Sequence, residues 1–395
     1  MKGRSLIIAA MAAAIVFSGA LHGEWSGSAA LEARLFPEAP VDPLQQGSHG
    51  SVALAPEYHQ ESGNGRQGFT FTPFARLDSG DPERTHADLR EMLWHFATDE
   101  WELRTGVGKV FWGVTEAQHL VDIINQTDLV EDIDGEEKLG QPMLNIARIS
   151  DWGSWQLFVL PYFRERTFPG VEGRLRPQPA VDSSGSVYES SAREHHVDWA
   201  ARWSHYLGAW DLGLSWFSGT SREPLFLLSS EAGGTPRLMP YYPLIEQAGL
   251  DLQFTHEAWL WKLEGIHRAG FGEAYSAMTG GFEYAVTGIA GSRADLGYLA
   301  EYLYDDRGER ATTPFEDDLF LGLRLAFNDT ASSDLLIGII CDDDGSTLYS
   351  AEASRRMTLH TVVRLEARAF SSKAANPLAT FEKDDYLQMQ VHYYF

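Results

Sequence analysis

Charged side chains recur at every second position along several stretches of this sequence. In residues 361–370, Arg364, Glu366 and Arg368 alternate with valine, leucine and alanine. Successive side chains of a β-strand point to opposite faces, so these three charges would share one face of a strand. Neighbouring arginine and glutamate side chains hold water, pair with each other and contact ions, but they supply no nucleophile. The chemistry indicated is that of a hydrated, charged wall.

The elements that would position such charges are strands with two unlike faces. The alternating pattern predicts about eighteen of them, with sixteen as the alternative count. The candidate strands lie near 24–36, 50–60, 67–78, 84–95, 99–112, 142–151, 154–164, 194–206, 208–219, 246–257, 258–270, 278–288, 293–305, 317–328, 333–343, 346–355, 358–371 and 385–395.

The gaps between these candidate strands alternate in length. Short gaps such as 151–154 and 290–292 are followed by long ones such as 113–141, 165–193 and 220–245. Short turns at one end and long loops at the other are typical of a transmembrane antiparallel β-barrel. The sequence therefore predicts an all-β barrel, with both termini on the short-turn side.

The charged faces are predicted to line the interior of this barrel. A charge facing lipid near the midplane of the bilayer would cost about 2–4 kcal/mol, and a barrel of this size is wide enough for water. For any single residue, the alternative is that its charge only pairs across strands and solvates the wall. The whole array of charges favours conduction of solutes through the barrel. The predicted pore-lining residues are Arg76, Arg90, Arg104, Arg202, Lys262, Arg324, Arg364, Glu366 and Arg368.

The final segment, YLQMQVHYYF at 386–395, alternates in the same way. Leu387, Met389, Tyr393 and Phe395 fall on one side, and the glutamine and histidine side chains fall on the other. In a barrel the first set would face lipid, with the aromatic residues at the membrane interface. The alternative is a secreted propeller or solenoid. A propeller would repeat a motif about every forty residues, and the sequence shows no such repeat.

The long gap at 113–141 carries a second pattern. Ala117, Leu120, Val121 and Ile124 have helical spacing, and a capping box precedes them. We expect a short amphipathic helix at 114–128 that folds into the lumen, because its apolar side must be buried. A solvated surface loop is the alternative. The predicted constriction residues of this loop are His119, Asp122, Glu131, Asp132 and Asp134.

Composition excludes several classes of protein. Acidic residues outnumber basic ones 56 to 31, and the formal charge is −25, so no nucleic-acid partner is expected. Cys341 is the single cysteine, which rules out an intrachain disulfide and a CxxC site. Residues 1–20 combine a basic start, an apolar run and small residues before Ala20. This pattern predicts a signal peptide at 1–20 and a barrel domain at 21–395.

No motif indicates catalysis, a cofactor or a metal. Serine, histidine and aspartate are present, but no G-x-S-x-G occurs and no spacing singles out a triad. The acidic turns at 132–135 and 342–345 could hold a divalent ion shared with lipopolysaccharide, yet solvation of a turn explains each as well. The basic stretch at 164–177 could meet phosphates or an anionic solute, or it could pair with acidic loops. The chain is therefore not expected to be an enzyme.

Several stretches resemble known proteins. GKVFWGVTEAQHLVDIINQTDLVED (108–132), PYFRERTFPG (161–170) and the HYYF end resemble an uncharacterised family of porin-like barrels. Barrels of the alginate-export type are similar at a greater distance. This resemblance implies the outer membrane of a Gram-negative bacterium, with lipid and lipopolysaccharide as surroundings. It also implies recognition of Phe395 by the barrel assembly machinery, and homo-oligomers are common among porins.

The sequence thus predicts a passive channel for small polar or ionic solutes, narrowed by the loop at 113–141. The alternatives are an export conduit for an acidic polymer, a barrel enzyme, and a structural or adhesion barrel.

Overall fold

A computed structural model describes residues 22–229, 235–373 and 376–395. Within these residues the chain forms a closed barrel of 18 antiparallel strands and a separate three-stranded sheet. The strands are β1 (His22–Leu35), β2 (Ser48–Glu61), β3 (Gln67–Asp78), β4 (His86–Ala97), β5 (Trp101–Gly108), β6 (Gln141–Ser150), β7 (Gly153–Leu160), β8 (Val187–Tyr188), β9 (Asp198–Leu207), β10 (Trp210–Thr220), β11 (Leu225–Ser229), β12 (Arg237–Tyr242), β13 (Leu244–His256), β14 (Trp259–Ala269), β15 (Tyr275–Val286), β16 (Asp295–Asp305), β17 (Asp317–Ala326), β18 (Asp334–Asp342), β19 (Thr347–Arg356), β20 (Thr361–Ser371) and β21 (Tyr386–Tyr394).

Each barrel strand pairs with its neighbours in the sequence, and the barrel closes where β1 pairs with β21. At this seam Leu31 lies opposite Val391, and Gly27 and Phe395 exchange two backbone hydrogen bonds of 3.1 Å. Each of the eighteen predicted strands overlaps one barrel strand, which confirms the fold class. The sequence did not indicate β8, β11 and β12, because they are short strands within long loops. The predicted signal peptide at 1–20 lies outside the described residues.

The two faces of the barrel wall are inverted relative to a soluble protein. In β1, Glu32 is only 7% exposed, whereas its neighbour Leu31 is 60% exposed. In β21, Gln388 is buried and Leu387 is exposed on the outer face, as is Phe395 directly after the strand. Apolar side chains that alternate with buried charges are typical of a wall with lipid outside and polar groups inside. The predicted sidedness of the strands is confirmed.

Exposed aromatic side chains gather at the short-turn end of the barrel. They lie beside the turns that join neighbouring strands or near the terminal seam, and they include Trp25, Trp101, Trp152, Trp155, Tyr206, Trp210, Tyr393 and Phe395. Tryptophan and tyrosine favour the membrane–water interface, because one side of the ring is apolar and the other carries a polar group. This end of the barrel therefore has the aromatic girdle expected of an outer-membrane barrel.

The opposite end carries the long loops, as predicted. Loop L3 (residues 109–140) joins β5 to β6, loop L4 (161–197) joins β7 to β9, and loop L5 (221–243) joins β10 to β13. The small sheet combines β8 of L4 with β11 and β12 of L5. A parallel bridge between Asp128 and Thr167 connects L3 to L4. These three loops thus form one connected layer.

The predicted amphipathic helix at 114–128 is wrong, because this part of L3 is irregular. A helix needs each backbone N–H to bond to a carbonyl four residues earlier. Here several of those N–H groups donate instead to glutamate side chains of the barrel wall. Across the described ranges, no helix has the length and apolar character needed to cross a bilayer.

The inverted faces of the wall predict that the same substitution lowers the free energy of unfolding by different amounts on the outer and inner faces of one strand. Leu250 lies on the outer face at the centre of β13, and Gln253 lies on its inner face. We expect Leu250→Arg to lower the free energy of unfolding by about 2–4 kcal/mol, because the charge would enter hydrocarbon. The matched variant Gln253→Arg should lower it by much less. Denaturant unfolding of the barrel in lipid vesicles measures both, and equal losses would contradict the assignment of the two faces.

Candidate functional site

L3 lies inside the barrel and contacts walls on nearly opposite sides. Its first part bonds to Glu264 of β14, and its later part pairs with Arg76 of β3. These are the eleventh and third of the 18 barrel strands, so they lie almost across the lumen from each other. Asp134 near the end of the loop reaches Arg368 of β20. L3 therefore crosses the lumen.

Glu264 is the first anchor of L3. Its carboxylate is fully buried and accepts hydrogen bonds from the backbone N–H groups of Val114 (2.7 Å), Thr115 (3.1 Å) and Val121 (3.2 Å). The hydroxyl of Thr115 donates a further bond of 2.7 Å. Gly113, with φ 149°, precedes this turn, and a Cβ there would lie 3.0 Å from a Glu264 oxygen. A buried carboxylate with this many donors holds the loop in one conformation.

Glu301 of β16 is the second anchor. Its carboxylate accepts hydrogen bonds from the backbone N–H groups of Glu116 (2.8 Å) and Ala117 (2.9 Å). The Glu116 side chain in turn contacts Arg324 at 2.6 Å and Lys262 at 3.8 Å. Two glutamates and two cations of the wall thus hold residues 114–121.

Apolar packing supports the same part of L3. Val121 and Ile124 are fully buried and belong to a cluster with Phe158, Phe217 and Ile245 of the inner wall. The sequence predicted that Val121 and Ile124 would find apolar partners inside the barrel or at its mouth, and this is confirmed. Packing against aromatic rings therefore adds to the hydrogen bonds from Glu264 and Glu301.

The acidic part of L3 pairs with arginines of the wall. Glu131 lies 2.7 Å from Arg76, and Asp134 lies 3.1 Å from Arg368. Asp132 lies 3.8 Å from Arg34, an arginine of β1. These predicted constriction residues are thus placed on L3 inside the lumen, with their charge compensated by the wall.

Two further predicted constriction residues make contacts with other parts of L3. Asp122 lies 3.1 Å from the ammonium group of Lys138. Nε2 of His119 lies 2.9 Å from a Glu136 oxygen, and its Nδ1 lies 3.7 Å from Glu264. Burial opposes the protonated imidazole, but Glu136 and Glu264 outweigh it and raise the pKa of His119 to about 10. The hydrogen bond from His119 lowers the pKa of Glu136. His119 is therefore cationic at neutral pH.

The remaining predicted pore-lining residues divide into two groups. Arg90 contacts L3, with its guanidinium 2.7 Å from Asp128. Arg202 also contacts L3, because its guanidinium lies 5.2 Å from the centre of the Trp112 ring, and it forms two bonds of 2.6 and 2.8 Å to Asp251 of the wall. Arg104 bonds to Glu102 of the wall at 2.6 Å. Glu366 bonds to Arg368, Tyr386 and Gln388. Arg364 is exposed near the short-turn end and lies 3.5 Å from the hydroxyl of Tyr394.

The structure adds anchors that the sequence did not single out. Glu264 is not among the predicted pore-lining residues, and Glu301 was missed because leucines flank it on the inner face. The alternating tyrosines of β16, which are exposed, were the available signal for its outer face. Arg84 was also missed, since it follows β3 in a turn. Its guanidinium lies 2.6 Å from Glu32 and 2.8 Å from Asp78.

The basic stretch at 164–177 pairs with acidic residues of other loops and strands. Arg164 lies 2.6 Å from Asp88, and Arg174 bonds to Asp384. The Arg176 guanidinium lies 3.0 Å from Asp42, in the loop that joins β1 to β2. This arrangement corresponds to the alternative in which these arginines form ion pairs.

A cavity of about 750 Å³ opens between L3, L4 and the loop that joins β3 to β4 (residues 79–85). Polar and charged groups on its wall include His86, Asp88, Arg164 and Arg166, and the ring of Phe168 is also part of the wall. Mixed charge, an aromatic face and this volume suit a polar ligand larger than an ion.

Comparisons with solved structures find outer-membrane proteins. Wzi of Escherichia coli, described as an outer-membrane protein involved in group 1 capsule assembly and a carbohydrate-binding β-barrel, is 9% identical. The match covers 92% of this chain and 83% of Wzi, with a TM-score of 0.53. A mutant of the Rh. blastica porin is 12% identical over 95% of this chain and 100% of the porin, with a TM-score of 0.46.

A loop-deletion mutant of OmpT, an outer membrane protein of Vibrio cholerae, is 9% identical over 95% of this chain and 100% of OmpT, with a TM-score of 0.47. No protein-family model and no curated protein matches the sequence. The closed barrel of 18 strands and the match to Wzi show that the chain has the fold of an outer-membrane β-barrel. The narrower porin-like family indicated by residues 108–132 stays a prediction.

Removing the carboxylate of Glu264 should loosen L3. In Glu264→Gln, the amide N–H₂ group would face backbone donors, and loss of one charged hydrogen bond costs about 1.5–3 kcal/mol. We expect hydrogen exchange of residues 113–122 to accelerate roughly 10- to 100-fold, measured by mass spectrometry on the folded barrel. Glu283→Gln is the matched control. Glu283 is an inner-wall glutamate of β15 that accepts no hydrogen bond from the described backbone of L3. Equal acceleration in both variants would contradict the anchoring role.

The stabilisation from protonated His119 should depend on pH. Its pKa in the folded barrel, about 10, is above the unfolded value of about 6.5. The stabilisation is therefore complete below about pH 6.5 and is lost as the pH rises through about 10. We expect wild type to melt at a higher temperature than His119→Gln at pH 7, and this difference to shrink towards pH 10.5. A difference that stays constant across this range would contradict the ion pairs of His119.

Proposed function

We propose that this protein is an outer-membrane channel for the passive diffusion of small polar or ionic solutes, narrowed by L3. The observation that supports it most directly is the inverted wall, in which Glu32, Arg76 and Arg202 point inward and leucines face outward. Such a wall keeps the lumen polar in a barrel of 18 strands. An outer-membrane location follows from the same feature and from the fold.

The two halves of the lumen have different roles in this proposal. Towards the short-turn end, Arg364 and Arg104 remain accessible to water. Towards the long-loop end, L3 crosses the interior, and L4 and L5 pack on it through the bridge of Thr167 to Asp128 and the bond from Arg222 to the Ile124 carbonyl. Solutes would therefore be selected by the gaps that this layer leaves, with L3 as its central part. The predicted pore-lining residues would act around it.

The charges of L3 would produce only weak ion selectivity. An unpaired acidic run would disfavour anions, but Glu131, Asp132 and Asp134 each have an arginine of the wall nearby. The fields of paired charges cancel over a distance of a few ångströms in water-filled space. The size of the opening would thus contribute more to selection than its net charge.

Binding of a surface carbohydrate at the long-loop end is a second candidate. It is favoured by the cavity of about 750 Å³ beside Arg164, Arg166 and Phe168, and by L3, which crosses the lumen and forms part of the cavity wall. Wzi is described as carbohydrate-binding. Under this alternative the barrel would bind polysaccharide at its mouth without conducting solutes.

The partners proposed for either function are those of an outer-membrane barrel. They are lipid and lipopolysaccharide at the apolar outer face, and the barrel assembly machinery acting on Phe395.

Conductance in a planar lipid bilayer separates the two candidate functions. We expect the wild-type barrel to give steady conductance, and deletion of 114–128 to raise it several-fold, because the layer would lose its central segment. Deletion of Glu309 and Arg310, which are exposed in the loop between β16 and β17, serves as the control and should leave conductance unchanged. A silent wild type whose deletion variant conducts would instead indicate a closed barrel and favour carbohydrate binding.

A further inference from the structure

Three carboxylates meet at the long-loop end of β17 and β18. Asp318 and Asp342 lie directly opposite each other in the register of the two strands, and Glu316 immediately precedes β17. One carboxylate oxygen from each residue lies within 4.8 Å of the others. Like charges directly opposite on neighbouring strands are destabilising, so this arrangement needs a compensating group.

The part of the chain that the structure describes supplies no cationic side chain for this cluster. Asp318 is only 1% exposed, and its Oδ1 has no hydrogen-bond partner there. Oε2 of Glu316 is also buried without a described partner. No lysine, arginine or histidine of the described residues forms a salt bridge with any of these three carboxylates, although other inward acids such as Glu32 and Glu131 have arginine partners.

The charges that surround the cluster are mostly acidic. The adjoining turn between β18 and β19 adds Asp343 and Asp344, and the Lys373 ammonium bonds to the backbone carbonyl of Asp344. Burial and the charges of Asp342 and Asp343 raise the pKa of Glu316. The local potential is therefore negative and favours a cation.

The Asp342 carboxylate is also held in one orientation. Nδ2 of Asn376 donates to its Oδ2 at 2.8 Å, and the backbone N–H of Asp344 donates to its Oδ1 at 2.8 Å. Hydrogen bonds of this kind orient metal-binding carboxylates towards the ion. The buried Asp318 oxygen and the oriented Asp342 are two independent features that point to a ligand between them.

We propose that Glu316, Asp318 and Asp342 bind a divalent cation of the calcium type. Calcium takes six to eight oxygen ligands and tolerates irregular geometry, so three carboxylates and several waters would complete its shell. A bound ion would neutralise the repulsion between Asp318 and Asp342. It would also fasten the loop before β17 to the end of β18, at the rim of the barrel.

Calcium binding to the purified, chelator-treated barrel tests this proposal. Equilibrium dialysis with radioactive Ca²⁺ should show a site in the wild type that is lost in the double variant Asp318→Asn/Asp342→Asn. Asp343→Asn is the matched control. It removes one exposed charge from the adjoining turn, and it should keep this site.

Thermal unfolding tests the same site without measuring bound Ca²⁺ directly. Ca²⁺ should raise the melting temperature of the wild type and of Asp343→Asn, but not that of the double variant. In the presence of chelator, the double variant should melt at a higher temperature than the wild type, because the repulsion is gone. Binding that survives the double substitution, or a wild type without a site at millimolar Ca²⁺, would overturn the proposal.

Discussion

Charge compensation inside the barrel is the constraint on which this structure depends. Because the outer face must be apolar to meet lipid, most charged side chains of the strands point inward. A buried charge without a partner costs several kcal/mol, and the inner wall supplies most partners directly, as in the pair of Arg202 with Asp251. Loops supply further partners to arginines that also pair within the wall. Arg76, Arg90 and Arg368 each pair with an acidic residue of L3.

The irregular conformation of L3 follows from the same constraint. An isolated helix of this length would be marginal in water, whereas the buried carboxylates of Glu264 and Glu301 are strong acceptors that require donors. Backbone N–H groups of residues 114–121 satisfy them better outside a helix than within it. The apolar spacing that resembled a helix serves another purpose, because Val121 and Ile124 fill a recess lined by aromatic rings of the wall.

The sequence predicted the wall well and the loops poorly, for a physical reason. Strand sidedness is local information, because lipid imposes an apolar residue at every second position, and stretches such as 361–370 show it directly. The inward fold of L3 was also predictable, since its apolar residues needed cover. Its conformation was not, because Thr115 is held by Glu264, 149 residues away. The second anchor, Glu301, was not predicted, because it lies between Leu299 and Leu303 on the inner face of β16 and the apolar neighbours hide the alternation of polar and apolar residues.

The distribution of the L3 anchors determines how this loop can behave. A lid that opens needs a hinge on one side and weak contacts on the other. L3 has buried carboxylate bonds on the β14 and β16 side, ion pairs on the β3 and β20 side, and an apolar cluster between β7 and β15. Movement away from either wall would remove the backbone donors of Glu264 or the Glu131 partner of Arg76, which would then pair with Glu32 alone. L3 is therefore held in place across the lumen, and in the proposed channel the selection of solutes would depend on fixed openings in its layer.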